Sequence, residues 1–365
     1  MVVEQQGEGM KILITGICGF AGSSIAEAWL EAETGLEIFG MDNFIRPGSE
    51  SNRNRLGELG ITLFHGDTRI ASDFDTLPAV DWVIDAAANP SVLAGIDGLS
   101  SSRQLVEHNL VGTINMLEYC KRNRAGFILL STSRVYSIRP LSKAVVETAG
   151  DAFRLKPGQL LPSGLSPSGV SELFSTEPPI SLYGMTKLAS EGLALEYENA
   201  FGFPVWINRC GLLAGAGQFG RPDQGIFAYW INSWLRRRPL KYIGFGGEGH
   251  QVRDGLHPRD LVPLLRQQVR AEQAVSTKIV NLGGGQSNAL SLAELSRWCS
   301  DRLGAHQVGS DPNDRPYDVP WLIMDSALAK EEWGWQPQTP VEAILEEIAE
   351  HAEQNPTWLT ISGLS

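Results

Sequence analysis

Along the first two-thirds of the chain, short apolar runs alternate with longer stretches whose apolar residues recur at helical spacing. The run KILITG, Lys11 to Gly16, has no polar face, as expected of a strand covered on both sides in a parallel sheet. LEIFGMD ends a second strand at Asp42, ITLFHGD a third at Asp67, and DWVIDAAA, Asp81 to Ala88, reads as a fourth. FILLST, Phe127 to Thr132, is the fifth, and PVWINRC follows a helical stretch. Periodicity predicts helices over 20–33, 102–123 and 182–200; in the second, Leu105, Asn109, Gly112, Met116 and Leu117 recur at helical spacing. Strands alternating with helices predict an α/β fold, a doubly wound parallel Rossmann sheet that binds its ligand at the carboxyl ends of the strands.

Two regions break this rhythm. Residues 137–179 are rich in Pro, Gly and Ser, and a loop of that length is functional or mobile. Past Gly211 the pattern becomes mixed, which predicts a smaller mixed α/β substrate-binding domain. DLVPLLRQQV and TKIVNLGGG read as a helix and a strand that return to the main sheet. The expected division is a Rossmann domain over 10–210 with returning segments near 258–285, and a substrate domain over 211–257 and 286–356. Trp333 and Trp335, in EEWGWQP, are expected to pack the C-terminal domain.

Composition narrows the partners. The net charge is −12, and the one basic tract is Arg236, Arg237 and Arg238. An acidic body without a basic face argues against nucleic acid, so an anionic ligand must be held by local donors. Cys18, Cys120, Cys210 and Cys299 show no CxxC spacing, which predicts free thiols in a reducing cytoplasm. The six His residues have no metal-ligand spacing, so no metal is expected. The polar first nine residues are unlike a signal peptide, and no apolar run reaches membrane-spanning length; a cytoplasmic, soluble protein is expected.

ITGICGFAG places Gly16, Gly19 and Gly22 between a strand and a helix. Glycine lets the backbone turn tightly and approach a pyrophosphate, and the helix start supplies free N–H groups and a positive dipole end. Asp42 lies 20 residues past Gly22, at the end of the second strand. A carboxylate there accepts bonds from the ribose hydroxyls and repels a 2′-phosphate, which predicts NAD over NADP, although Arg46 is close enough to keep NADP open. The expected cofactor contacts also include Phe20, Ala21, Asn43, Thr68 and Ala87. Asp67 reads equally as a contact to the adenine amino group or as a strand-end cap.

Tyr183 and Lys187 form YGMTK at a helix start, on one helix face. The ammonium can stabilise a tyrosinate and bind the nicotinamide ribose. Free tyrosine ionises near pH 10, so reaching neutrality needs roughly 3 pKa units, about 4 kcal/mol, which a nearby cation and the nicotinium charge can supply. The Ser/Thr-rich strand end LLSTSRVYS precedes this pair.

These motifs resemble the extended short-chain dehydrogenase/reductase family of sugar-nucleotide epimerases and dehydratases, from about Met10 to beyond Trp335. The resemblance implies a catalytic triad of Thr132, Tyr183 and Lys187, with Lys187 also on the cofactor. For Asn109 it implies a part in active-site structure, against a plain helix-packing role. The 4,6-dehydratases place Asp-Glu after the Thr; Ser133 and Arg134 stand here, which disfavours water elimination. STSRVY, GAGQFGRPDQGIFAYW, GHQVRDGLHPRDL and NLGGGQSNALSLAEL resemble the branch of the CDP-paratose (CDP-tyvelose) 2-epimerases. That branch implies transient oxidation at C2 of a nucleotide-diphosphate sugar with return of the same hydride. It also implies diphosphate contacts from Arg253 and Arg315, each of which alone also reads as a surface salt bridge. The remaining expected substrate contacts are Asn89, Ser133, Arg134, Gln218 and Gln224, while Asp254 and His257 are expected to shape their loop. A 4-epimerase or decarboxylase of another nucleotide sugar, and a non-catalytic dinucleotide-binding scaffold, are the alternatives. The family's habit implies a homodimer or homotetramer through helices 102–123 and 182–200.

Overall fold

Buried apolar strands and the helices between them build one parallel sheet in the computed structural model, which describes residues 9–96, 98, 101–271 and 276–364. Residues 1–8 of the polar N-terminal stretch, and 272–275 of the returning segment, lie outside the described residues. In chain order the first half comprises β1 (Lys11–Thr15), α1 (Phe20–Ala32), β2 (Glu37–Asp42), α2 (Asn52–Glu58), β3 (Thr62–His65) and β4 (Trp82–Asp85). Then come α3 (Ser102–Val106), α4 (Gly112–Asn123) and β5 (Gly126–Thr132). α6 (Ser181–Phe201) and β10 (Val205–Cys210) follow an insertion, and α8 (Val262–Gln268) and β14 (Ile279–Leu282) return from the C-terminal half. The sheet runs β14-β10-β5-β4-β1-β2-β3, all parallel.

Successive β1 residues serve opposite faces, as the two-residue period of a strand requires. Ile12 and Ile14 pack with Ile25 and Trp29 of α1, while Leu13 packs with Met116 and Leu117 of α4. Full burial of one such side chain stabilises by about 1.5–3 kcal/mol, so this double-sided core dominates the stability of the first half. α6 ends at Gly202, whose φ of 78° a side chain would resist.

The segment expected as a long functional or mobile loop, 137–179, is an insertion with elements of its own. It contains α5 (Ile138–Lys143), a hairpin of β6 (Val146–Ala149) and β7 (Ala152–Leu155), and a smaller one of β8 (Leu165–Ser166) and β9 (Gly169–Val170). Leu141, Leu165, Val170 and Phe174 share a core with Val319, Trp321 and Ile323, so contacts from far along the chain hold it.

The mixed C-terminal pattern forms β11 (Leu212–Leu213), α7 (Ile226–Leu235), β12 (Leu240–Ile243), β13 (Val252–Leu256), β15 (Ala289–Ser291), α9 (Leu292–Leu303), β16 (Val308–Asp311) and β17 (Trp321–Leu322). α10 (Ala327–Trp333), α11 (Val341–Gln354) and α12 (Trp358–Ile361) end it. Ser291 and Glu294 form a capping box that starts α9. α7, α9 and α11 share a separate apolar core around Trp230, Leu295 and Ile344. Trp333 and Trp335 depart from expectation: they join the core of the main sheet, where Trp333 meets Trp206 edge-on at 5.1 Å. Among the described residues no helix is long and apolar enough to cross a membrane.

Candidate active site

The carboxyl ends of β1, β2, β4, β5 and β10 open onto a cavity of about 730 Å³, closed from the other side by residues 211–254 and 290–322. At one end lies the glycine turn. Gly16 has φ 65°, and a Cβ there would sit 2.7 Å from Ala87 Cα. A Cβ on Gly22 would come within 2.5 Å of Gly16 O, so this glycine serves helix–strand packing and does not line the cavity. α1 starts at Gly19 with no side-chain cap and no acidic residue in its first turn. Its N–H groups and dipole end are thus left for an anion.

Asp42 ends β2 at the cavity wall, accepting hydrogen bonds from the N–H of Cys18 at 2.9 Å and Phe44 at 2.8 Å. Burial raises its pKa, while these backbone donors pull the other way. Gly19, Phe20, Ala21, Asn43, Thr68 and Ala87 line the same end. Asp67 does not: Arg69 and Asn43 occupy its carboxylate, holding it well below the usual range, so its side chain acts as a cap. A tight backbone cradle, an uncapped helix and a strand-end carboxylate fit an adenine dinucleotide with a free 2′-hydroxyl. Arg46, the residue that kept NADP open, donates instead to Gln224 Oε1 at 2.5 Å and Phe219 O at 2.6 Å.

Tyr183 and Lys187 project from the first turns of α6, and Thr132 ends β5 beside them; all three line the cavity. Burial pushes the Tyr183 phenol up to about 12, against the pull of the neighbouring Thr132 side chain and the Arg134 charge. Lys187 is 2% exposed, with its Nζ 3.9 Å from Asp85 Oδ2. Asn109 sits in a π-helical turn, Glu107–Val111, between α3 and α4. Its amide donates to Asn89 O and to Thr186 Oγ1, each at 3.1 Å, and accepts from Asn89 N at 2.8 Å. Asn109 therefore ties the loop after β4 to the helix that carries Tyr183. Asn89 itself departs from the expected substrate contact, because its backbone is spent on this tie and it does not line the cavity.

Three guanidiniums converge at the other end. Arg134 donates to Tyr317 O at 3.4 Å, and burial together with Arg253 and Arg315 lowers its pKa to about 10. Arg253 is held by Asp318 Oδ1 at 2.7 Å and Val319 O at 2.9 Å; Arg315 donates to Pro222 O at 3.3 Å. Asp318 neutralises one of the three, so the cluster carries about two net positive charges, a match for a diphosphate. Ser133 and Gln218 also line the cavity, although Gln218 spends its amide N–H on Leu213 O. Gln224 lines the cavity, with its side-chain oxygen accepting from Arg46. Asp254 and His257 shape their loop as expected: Asp254 accepts from Gly285 N and Met324 N, and His257 from Arg259 N.

The site's least legible member is Asp85, 1% exposed at the end of β4. It was read as part of an apolar strand; a carboxylate inside such a run is itself a signal, because buried charge is rare without a partner.

A parallel sheet with a glycine-turn cradle and a buried Thr–Tyr–Lys constellation at its strand ends defines a dinucleotide-dependent enzyme of the short-chain dehydrogenase/reductase type. Residues 12–283 match the NAD dependent epimerase/dehydratase family, and the chain belongs to that family, with NAD as its cofactor. It is 29% identical to the CDP-paratose 2-epimerase of Salmonella typhi, over 90% of this chain and 95% of that protein. It is 25% identical to the UDP-glucuronate 4-epimerase of Thermodesulfobacterium geofontis, over 94% and 96%. The fold matches the UDP-glucuronic acid 4-epimerase of Bacillus cereus, solved with UDP-glucuronic acid and NAD. The TM-score is 0.75 at 24% identity, covering 94% of this chain and 99% of that one.

Proposed function

We propose that the protein epimerises a nucleotide-diphosphate sugar, and specifically CDP-paratose at C2. The observation that carries the reaction type is the Thr132–Tyr183–Lys187 constellation beside a turn holding Ser133 and Arg134. Elimination of water needs an acid and a base at that turn, and neither residue is a carboxylate. Thr132 and Tyr183 hold the reacting hydroxyl. Tyr183 takes its proton as the sugar is oxidised and returns it after the keto-sugar has turned its other face. Bound NAD supplies reversible acceptance of the hydride from the sugar carbon. Lys187 stabilises the tyrosinate and would hold the nicotinamide ribose, with Gly16, Gly19 and Asp42 holding the rest of the dinucleotide. Arg253 and Arg315 bind the diphosphate.

A 2-epimerase of a CDP-linked deoxysugar is favoured by similarity to the Salmonella enzyme and by the DQG and QVRD strings. One observation favours a second reading, a uronate 4-epimerase: Arg134 makes a single long hydrogen bond and faces the cavity near Tyr183, where it could pair with a sugar carboxylate. A panel of CDP-, UDP-, GDP- and dTDP-sugars assayed by NMR separates them. Inversion of CDP-paratose supports the first reading, inversion of UDP-glucuronate replaces it by the second, and no turnover of any member overturns both. Pairing of two chains through α3, α4 and α6 accords with half-exposed Val106, Leu182 and Met185; light scattering at the mass of one chain would refute it. Four free, buried cysteines suit a reducing compartment.

A further inference from the structure

The mechanism above uses Lys187 as a fixed positive charge, yet a lysine removed from water favours its neutral form unless a counter-charge is near. Asp85 is placed to supply it: burial raises the pKa of its own carboxyl, and Lys187 and the hydrogen-bond donors to that carboxyl pull it back towards the charged form. Its Oδ2 lies 3.9 Å from Lys187 Nζ, with side-chain exposures of 1% and 2%. The carboxylate is itself anchored on one oxygen: Thr15 Oγ1 of β1 and Ala87 N each donate to Oδ1 at 3.2 Å, while Thr113 Oγ1 of α4 lies 3.4 Å from Oδ2 and donates to Asn109 O at 2.8 Å. Thr15 and Asp85 are direct neighbours across β1 and β4, so the sheet register fixes the charge beneath the reacting pair. Tyr183 on α6 and Cys120 on α4 also face the carboxylate, Cys210 on β10 faces Lys187, and Arg134 after β5 faces Tyr183.

We propose that Asp85 is a positioning residue that keeps the Lys187 ammonium charged and aimed at the reaction centre, acting through Lys187 and touching neither substrate nor cofactor. Two consequences oppose one another. The carboxylate retains the lysine's charge, which favours the tyrosinate, and it also repels the tyrosinate from farther away. Removing it therefore relieves the repulsion that raises the Tyr183 phenol and leaves the Lys187 ammonium without its buried counter-charge.

The inference rests on Tyr183 and Lys187 as the reacting pair, and its two tests separate it from the choice of substrate. The first needs no substrate. Thermal midpoints of the NAD-loaded protein are compared for wild type, Asp85→Asn, Lys187→Met and the double variant. Each single change leaves one buried charge unmatched, so the double variant should be more stable than the sum of the single losses predicts; additive losses would overturn the pairing. The second follows reduction of bound NAD against pH with a nucleotide sugar that the enzyme accepts. In Asp85→Asn, which keeps an acceptor for Thr15 and Ala87, the acid limb set by Tyr183 should move to lower pH by roughly one unit. Turnover at the wild-type optimum should fall at least tenfold. A lower amplitude with the acid limb unmoved would mean that Asp85 is merely structural.

Discussion

Tyr183 concentrates the chemistry. Its folded pKa of about 12 means that ionisation near pH 7 demands roughly 5 units, about 7 kcal/mol. Lys187 is already part of the folded site, so the added cation is that of the bound cofactor; one charge about 4 Å away in a medium of effective dielectric near 20 would be worth about 4 kcal/mol, more than half of that demand. Tyr183→Phe should therefore lower kcat by about 10²–10⁴-fold while the purified chain keeps its NAD, as turnover and extracted NAD per chain would show. Activity should rise with pH along its acid limb, because the deprotonated phenol is the working form. Tyr183, Lys187 and the glycines were legible because each motif is local. Asp85 was not, since its meaning depends on Lys187, 102 positions away in sequence. The cap role of Asp67 stayed open because Asn43, 24 positions away, completes it with Arg69, and the bond from Arg46 to Gln224 spans 178 positions.

At the scale of elements, strands with unbroken apolar faces were read to within two or three residues, because burial on both sides leaves a strong pattern. The hairpins of the insertion carry strands of two to four residues, too short for a period to show. The π-helical turn at Asn109 has no propensity signature, yet such turns concentrate at functional sites. Asp254 shows how an element junction responds to pH. It joins β13 to the backbone at Gly285 and Met324, and burial raises its pKa from 3.8 to about 7. The folded chain thus holds a proton where the unfolded chain has lost it. The associated stability is complete below about pH 4 and is lost as pH rises through about 7. Asp254→Asn cannot ionise, so relative to wild type it should gain stability across that window, by a few kcal/mol at most. Urea midpoints at the two ends of the window would test this; a constant difference would contradict it.

In the whole molecule, catalysis depends on two halves that meet over one cavity. Arg46 reaches from the loop after β2 to Gln224 and Phe219, and Ser91 Oγ donates to Asp223 Oδ2 at 2.7 Å. Phe219 in turn stacks on Trp358, with ring centroids 5.2 Å apart. These contacts close the dinucleotide end of the cavity, which suits a cofactor recycled within each turnover. Arg46→Ala should leave the fold intact but weaken NAD retention about tenfold, read as NAD per chain after gel filtration. The central claim is that the hydride removed from the sugar returns to it. Epimerisation of CDP-paratose by the NAD-loaded protein in heavy water, followed by proton NMR, tests this most directly. Inversion at C2 should occur with the carbon-bound proton retained and no NADH released; deuterium at that carbon, or NADH accumulating with an oxidised sugar, would rule out hydride return.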